Sequence, residues 1–164
     1  MAEFAIIVVP KDPHFVPSPS AIEAARALMA DFFPDRGDQV GQNTSATPQL
    51  ITARDAFSSV KCPHCGETVE RFELEEDDDG ATWWDRFEVQ VEVSLDPMTE
   101  VIEMPCCQAE VKAGEIDLGD EAAFSRFTLS LREPGVNVSV SPEQNSALER
   151  ALGCPVMTMT RVYG

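Results

Sequence analysis

The chain has 164 residues, 29 acidic against 12 basic side chains for a formal net charge of -17, and 43% hydrophobic residues. That length holds one real core and would leave two independent domains each marginal, and that hydrophobic fraction belongs to a folded protein rather than to a disordered acidic tail. The charge argues against direct nucleic-acid binding, which needs Lys and Arg to displace phosphate counterions, and no run approaches the roughly 18 apolar residues of a membrane-spanning helix.

Phe4 to Val9 is a continuous apolar run closed by Pro10, the pattern of a strand buried on both faces. Glu3 precedes it and no small-residue cleavage site follows, so it does not read as a secretory signal. A cytoplasmic location is expected, where thiols stay reduced and cysteines serve metal or redox chemistry rather than disulfides. Ser20 and Glu23 form an S-x-x-E capping box for a helix whose stripe is Ile22, Ala25, Leu28, Met29, Phe32 and Phe33, stopped by Pro34. Asp35 to Thr47 has no period and reads as a loop, and Gln49 to Ala53 as a short strand.

At the far end, Phe127, Leu129 and Leu131 alternate with Thr128, Ser130 and Arg132, a half-buried strand. Ser141-Pro142-Glu143-Gln144 supplies an N-cap, a first-turn proline and a capping-box glutamine. Leu148, Ala151 and Leu152 then make the apolar stripe, and Gly153 the stop. Pro155 to Tyr163 reads as a strand with Val156 and Val162 on one face and Met157 and Met159 on the other. The two ends therefore predict an α+β fold, a ferredoxin-like βαβ-βαβ sheet with two helices on one face. Residues 1–59 and 122–164 would form its split core, interrupted by a zinc-ribbon-like acidic insert over 60–121.

From Glu70 to Glu121 there are 18 acids against Arg71, Arg86 and Lys112. The run Glu75-Glu76-Asp77-Asp78-Asp79 reads first as a solvated loop tip, and second as part of a surface for a basic partner. Beside it stand Trp83 and Trp84. One ring would pack on the insert or the sheet, and a partly exposed ring would serve as a partner anchor.

Lys61-Cys62-Pro63-His64-Cys65-Gly66 has the form of a zinc knuckle: two thiolates three positions apart meet at a tight turn, the proline fixes a φ, and the glycine lets backbone approach sulfur. The remaining pair, Cys106 and Cys107, completes a four-thiolate set of Cys62, Cys65, Cys106 and Cys107. Laid over the first knuckle, Met104-Pro105-Cys106-Cys107 puts methionine where the first ligand belongs. Adjacent side chains reach one metal only if the backbone turns between them, which ranks Cys106 below the other three and leaves His64 or a carboxylate as a substitute. Four unmetallated thiols, or a C-x-x-C redox pair, are the alternatives. Cys154, between Gly153 and Pro155, reads as a small buried side chain. A closed thiolate set makes the zinc structural, not catalytic. With two histidines, His14 and His64, and neither a nucleophile elbow nor a Gly-rich phosphate loop, the chain does not read as an enzyme.

The order MAEFAIIVVPKDPHFVPS, helix, CPHCG, WW, MPCC, AFSRFTLSLREP and LERALGCPVMTMTRVY resembles a widespread family of bacterial proteins with a CPxCG and PCC cysteine pair. The resemblance covers nearly the whole chain. It implies metal binding at Cys62, Cys65, Cys106 and Cys107 and carries no particular activity. Gln108 stands where glycine is expected after the second pair. Together these readings predict a non-enzymatic, acidic protein-binding module with a structural Zn2+, of the immunity or inhibitor kind, whose partner is a basic protein such as a toxin that Glu75 to Asp79 and Trp83 or Trp84 would meet. The second reading is a zinc-ribbon accessory of nucleic-acid machinery.

Overall fold

A computed structural model of the chain describes residues 3–132, 134 and 139–163. It is a mixed α+β protein in which four long strands form one antiparallel sheet. β1 (Glu3–Pro10), β2 (Val40–Thr52), β7 (Ala122–Arg132) and β8 (Val156–Tyr163) lie in the order β2-β7-β1-β8. β1 lies inside the sheet, and its run Phe4 to Val9 is apolar throughout. It pairs with β7 from Ala5↔Arg132 to Val8↔Leu129, and with β8 from Glu3↔Tyr163 to Pro10↔Val156. Residues Ala5 to Val9 are all buried, as the uninterrupted apolar run predicts.

One face of the sheet carries α1 (Pro19–Phe32) and α3 (Pro142–Leu152). Ile6 and Val8 of β1 and Phe127, Leu129 and Leu131 of β7 meet Ala25 and Met29 of α1 and Leu148 and Leu152 of α3 in one cluster. Each large aliphatic side chain buried there contributes about 1.5–3 kcal/mol. α3 starts as expected, with reciprocal Ser141 and Gln144 caps, and ends at Gly153 in the left-handed region (φ 79°). α1 does not start at the expected box. Its cap is Ser18, whose hydroxyl accepts from the Ala21 N–H at 3.2 Å, because Pro19 fits the first helical position without needing a donor. Ser20 lies inside the helix, and Glu23 faces Arg26 at 3.4 Å.

The segment Asp35 to Thr47, expected as a loop, is a 3₁₀ turn (Pro34–Gln39) followed by the first half of β2. β2 pairs with β7 from Val40↔Leu131 to Thr44↔Phe127 and again from Gln49↔Ser125 to Thr52↔Ala122, with an irregularity between. Its Gln42, Asn43 and Thr44 are exposed, so hydrogen bonding to β7 holds the strand while no apolar alternation marks it in the sequence.

Among the described residues no helix covers the opposite face, yet Ala5, Ile7, Val9, Ala53 and Met159 are buried there, with Ile51, Ala123 and Met157 packed against them. The sheet curls until its two edges meet. Arg54, just past β2, bridges to Val162 of β8, the Val162 N–H reaches the Ala53 carbonyl at 3.3 Å, and the Arg161 Nε–H reaches the Thr52 carbonyl at 2.8 Å. Three alanines in that cluster leave room for so tight a curl.

Between β2 and β7 in the sequence lies a second assembly: β3 (Ser59–Lys61) with β4 (Thr68–Glu70), α2 (Trp83–Val93), and β5 (Val101–Glu103) with β6 (Glu110–Lys112). Its core is Phe57, Val60, Val69, Trp84, Phe87, Val91, Ile102, Met104, Val111, Ile116 and Leu118. The cluster extends past 60–121 at both ends, to Phe57 and to Ala122 and Phe124 of β7, with Leu50 of β2 packed on it. α2 departs from the expected zinc-ribbon-like insert with an acidic loop. Thr82 caps it in a reciprocal box with Asp85, and Trp84, Phe87 and Val91 form its buried stripe.

Candidate metal centre

The two hairpins present their turns to each other. β3 and β4 pair Ser59↔Glu70, Val60↔Val69 and Lys61↔Thr68, and β5 and β6 pair Val101↔Lys112, Ile102↔Val111 and Glu103↔Glu110. Every position of one matches a position 42 residues on in the other, from Ser59 to Val101 through Glu70 to Lys112. The turns match too. Gly66 N–H returns to the Cys62 carbonyl at 3.0 Å with Cys62 N–H on the Glu67 carbonyl at 2.9 Å. Gln108 N–H returns to the Met104 carbonyl at 2.9 Å with Met104 N–H on the Ala109 carbonyl at 2.9 Å.

This correspondence answers the question the irregular pair raised. Gln108 takes the left-handed conformation (φ 61°) that Gly66 takes in the first turn (φ 79°), so the second knuckle forms without a glycine. Met104, equivalent to Cys62, is fully buried in the hydrophobic cluster, while Cys106 stands at the place of the exposed His64. The backbone turns between Cys106 and Cys107, and both sulfurs reach the centre.

The four sulfurs of Cys62, Cys65, Cys106 and Cys107 lie within 4.8 Å of one another. Cys62 Sγ is 3.8 Å from Cys107 Sγ and Cys65 Sγ is 3.3 Å from Cys106 Sγ. A tetrahedral centre with metal–sulfur bonds of about 2.3 Å has sulfur–sulfur edges of about 3.8 Å, so the set could hold one metal ion. Cys62 is the anchor. Burial opposes its ionisation, but the Cys65 and His64 N–H groups, at 3.5 and 3.4 Å, and the thiols of Cys106 and Cys65 outweigh it and bring the thiol down to about 6. Burial and the neighbouring thiols hold Cys106 well above the usual thiol range. At Cys107 the Ala109 N–H pulls downward, yet burial and the Cys62 and Cys65 thiols leave it raised. A cation bound among these sulfurs would favour their anionic forms.

α2 supports the centre from behind. Trp83 donates its indole N–H to the Glu103 carbonyl at 2.8 Å, at the strand end that leads into the second knuckle, and stacks on Phe87 with ring centroids 5.1 Å apart. Trp84 is fully buried against Phe57 and gives its N–H to Glu88. Of the two tryptophans only Trp83 has accessible surface. Glu75 to Asp79 are exposed, and Asp77 organises their turn by accepting the Asp79 and Ala81 N–H groups at 2.9 and 3.2 Å and pairing with Arg86. Cys154 is half-buried and apart from the cluster, and His14 is exposed.

Among the described residues no helix is long and apolar enough to cross a membrane. Comparison with protein-family models, with curated proteins and with solved structures finds no match. The fold and the sulfur cluster therefore carry the functional reading. The 42-residue repeat was legible in part, in Pro63 and Pro105, Cys65 and Cys107, Val60 and Ile102, and Val69 and Val111.

Proposed function

We propose that this protein is a non-enzymatic binding module with a structural zinc site, an immunity or inhibitor protein that neutralises a basic partner such as a toxin in the cytoplasm. The observation that carries the reading is the closed sulfur set: four converging cysteines leave a tetrahedral ion no position for water or substrate, so the metal would hold the two hairpins together and do no chemistry. The net charge of -17 then favours a basic protein as partner, since complementary fields speed encounter and fix orientation.

The architecture we assign is a ferredoxin-like core of residues 1–59 and 122–164 with a zinc-ribbon-like insert over 60–121, in keeping with the CPxCG and PCC resemblance. The strand order β2-β7-β1-β8 with α1 and α3 on one face supports the first part, and the paired hairpins with opposed cysteines support the second. Those hairpins also favour the second reading, an accessory of nucleic-acid machinery, against which the charge stands.

The test has two arms. Protein purified without added metal should contain about one equivalent of zinc per chain, as four thiolates require; less than about half, with four freely titratable thiols, overturns the metal assignment. Tagged protein recovered from the cells that encode it should carry a basic protein whose release follows salt concentration. Recovery of nucleic acid, resistant to nuclease-free washing and lost on nuclease treatment together with any protein, overturns the binding assignment in favour of the second reading.

A further inference from the structure

The outward face of α2 carries two exposed valines among its charged residues. Val89 and Val93, one turn apart, are 59% and 75% exposed, opposite the face that buries Trp84, Phe87 and Val91. Leu95, just beyond the helix end, is 90% exposed, and Val101 of β5, whose carbonyl accepts from the Gln90 amide at 3.0 Å, is 54% exposed. Ala81, Asp85, Arg86, Val89 and Gln90 line a shallow groove of about 480 Å³ along the first turns of the helix. Single exposed aliphatics are ordinary, whereas two on one helix face beside a groove mark a contact surface.

Its rim is acidic. Asp85 and Glu92 share the outward face with the valines and are exposed. Arg86 is the cation among the groove-lining residues, and its guanidinium is held by Asp77 and Asp79, which neutralises it and draws the run Glu75 to Asp79 alongside the groove.

We propose that this face of α2 receives a basic amphipathic segment of a partner protein, its apolar side chains on Val89 and Val93 and its Lys and Arg residues on the surrounding acids. The proposal rests on the protein-binding reading above and replaces Trp84, which is buried, with the valines as the apolar anchor. Charge decides among occupants: a second copy would set acidic rim against acidic rim between chains of net charge -17, and an anionic lipid or nucleic-acid surface would be repelled.

The test titrates the full, zinc-loaded chain with a synthetic amphipathic Leu/Lys helical peptide, followed by amide NMR shifts, beside a scrambled peptide of the same composition and a Leu/Glu analogue. Saturable shifts confined to residues 75–101 are expected with the Leu/Lys peptide alone. The double variant Val89→Ser/Val93→Ser should weaken binding about tenfold, the loss of two apolar contacts, with the amide shifts of β1 and β7 unchanged. Equal binding of the scrambled peptide, equal binding by the double variant, shifts centred elsewhere, or self-association through this face without peptide would each overturn the proposal. If the double variant still recovers the wild-type protein's cellular partner, this surface falls and the protein-binding reading stands; if neither recovers a protein, the reading itself falls.

Discussion

Gly66 and Gln108 occupy equivalent turn positions with φ of 79° and 61°, and the chain meets that conformational demand with a glycine in one knuckle and without one in the other. A left-handed residue other than glycine costs roughly 1–2 kcal/mol, partly offset by the roughly 0.5–1 kcal/mol that glycine loses on ordering. Gln108→Gly should therefore stabilise the protein by about 0.5–1 kcal/mol in urea unfolding. Gly66→Ala should destabilise it by about 1 kcal/mol, and since a Cβ at Gly66 would meet nothing within 4 Å, that loss would be conformational rather than steric. Asp77 offers a second check at this scale. The hydrogen bonds of Arg86 and of the Ala81 N–H hold its carboxyl below the usual aspartate range. A depressed folded value means the turn's stabilisation is present above the ordinary aspartate value near 3.9 and is lost as pH falls through the folded one. The Asp79 and Ala81 amide shifts should move together in that acid window, and in Asp77→Asn they should show no such step.

At the scale of elements, the sheet and the hairpins draw on separate hydrophobic clusters, joined at Phe124 and Leu50. Chelation, or Cys62→Ser with Cys65→Ser, should increase hydrogen exchange at Val60, Val69, Ile102 and Val111 and leave Ile6, Val8 and Leu129 protected. Loss of protection everywhere would show that the metal centre supports the whole fold. The same division explains what could be read in advance. β1 and α3 were legible because local signals, an unbroken apolar run and a capping box with proline, agreed with their tertiary roles. The first half of β2 was not, because an exposed edge strand needs backbone pairing rather than apolar alternation. α2 hid in acidic residues that lie on its solvent face, although Thr82 and Asp85 mark its start. The four cysteines were legible from spacing; how Cys106 joins them was not, since that depends on Gln108 adopting a conformation its side chain disfavours.

At the scale of the whole molecule, the proposed basic partner would be drawn in by charge. Reversing Glu75, Glu76, Asp78 and Asp79 to lysine, and sparing Asp77 for its part in the turn, should lower the association rate with a basic partner and flatten its dependence on salt, with dissociation little changed. Stopped-flow association across a salt series measures this directly, and an unchanged salt slope would remove the acidic run from the encounter.

The seam where Arg54 meets Val162 also bears on how the chain is made. A ribosome delivers β1 and β2 early, but β1 must wait for partners more than a hundred residues away, Ala5 for Arg132 and Phe4 for Val162. The hairpins, α2 and the four cysteines are all delivered between residues 57 and 118 with most of their own core, so this middle unit is expected to close first in vectorial synthesis. Until β7 and β8 arrive, the most apolar strand of the protein stays uncovered on a nascent chain whose middle is already folded and acidic. Like charges between neighbouring nascent chains would then oppose aggregation through that strand, a role for the acids that needs no partner.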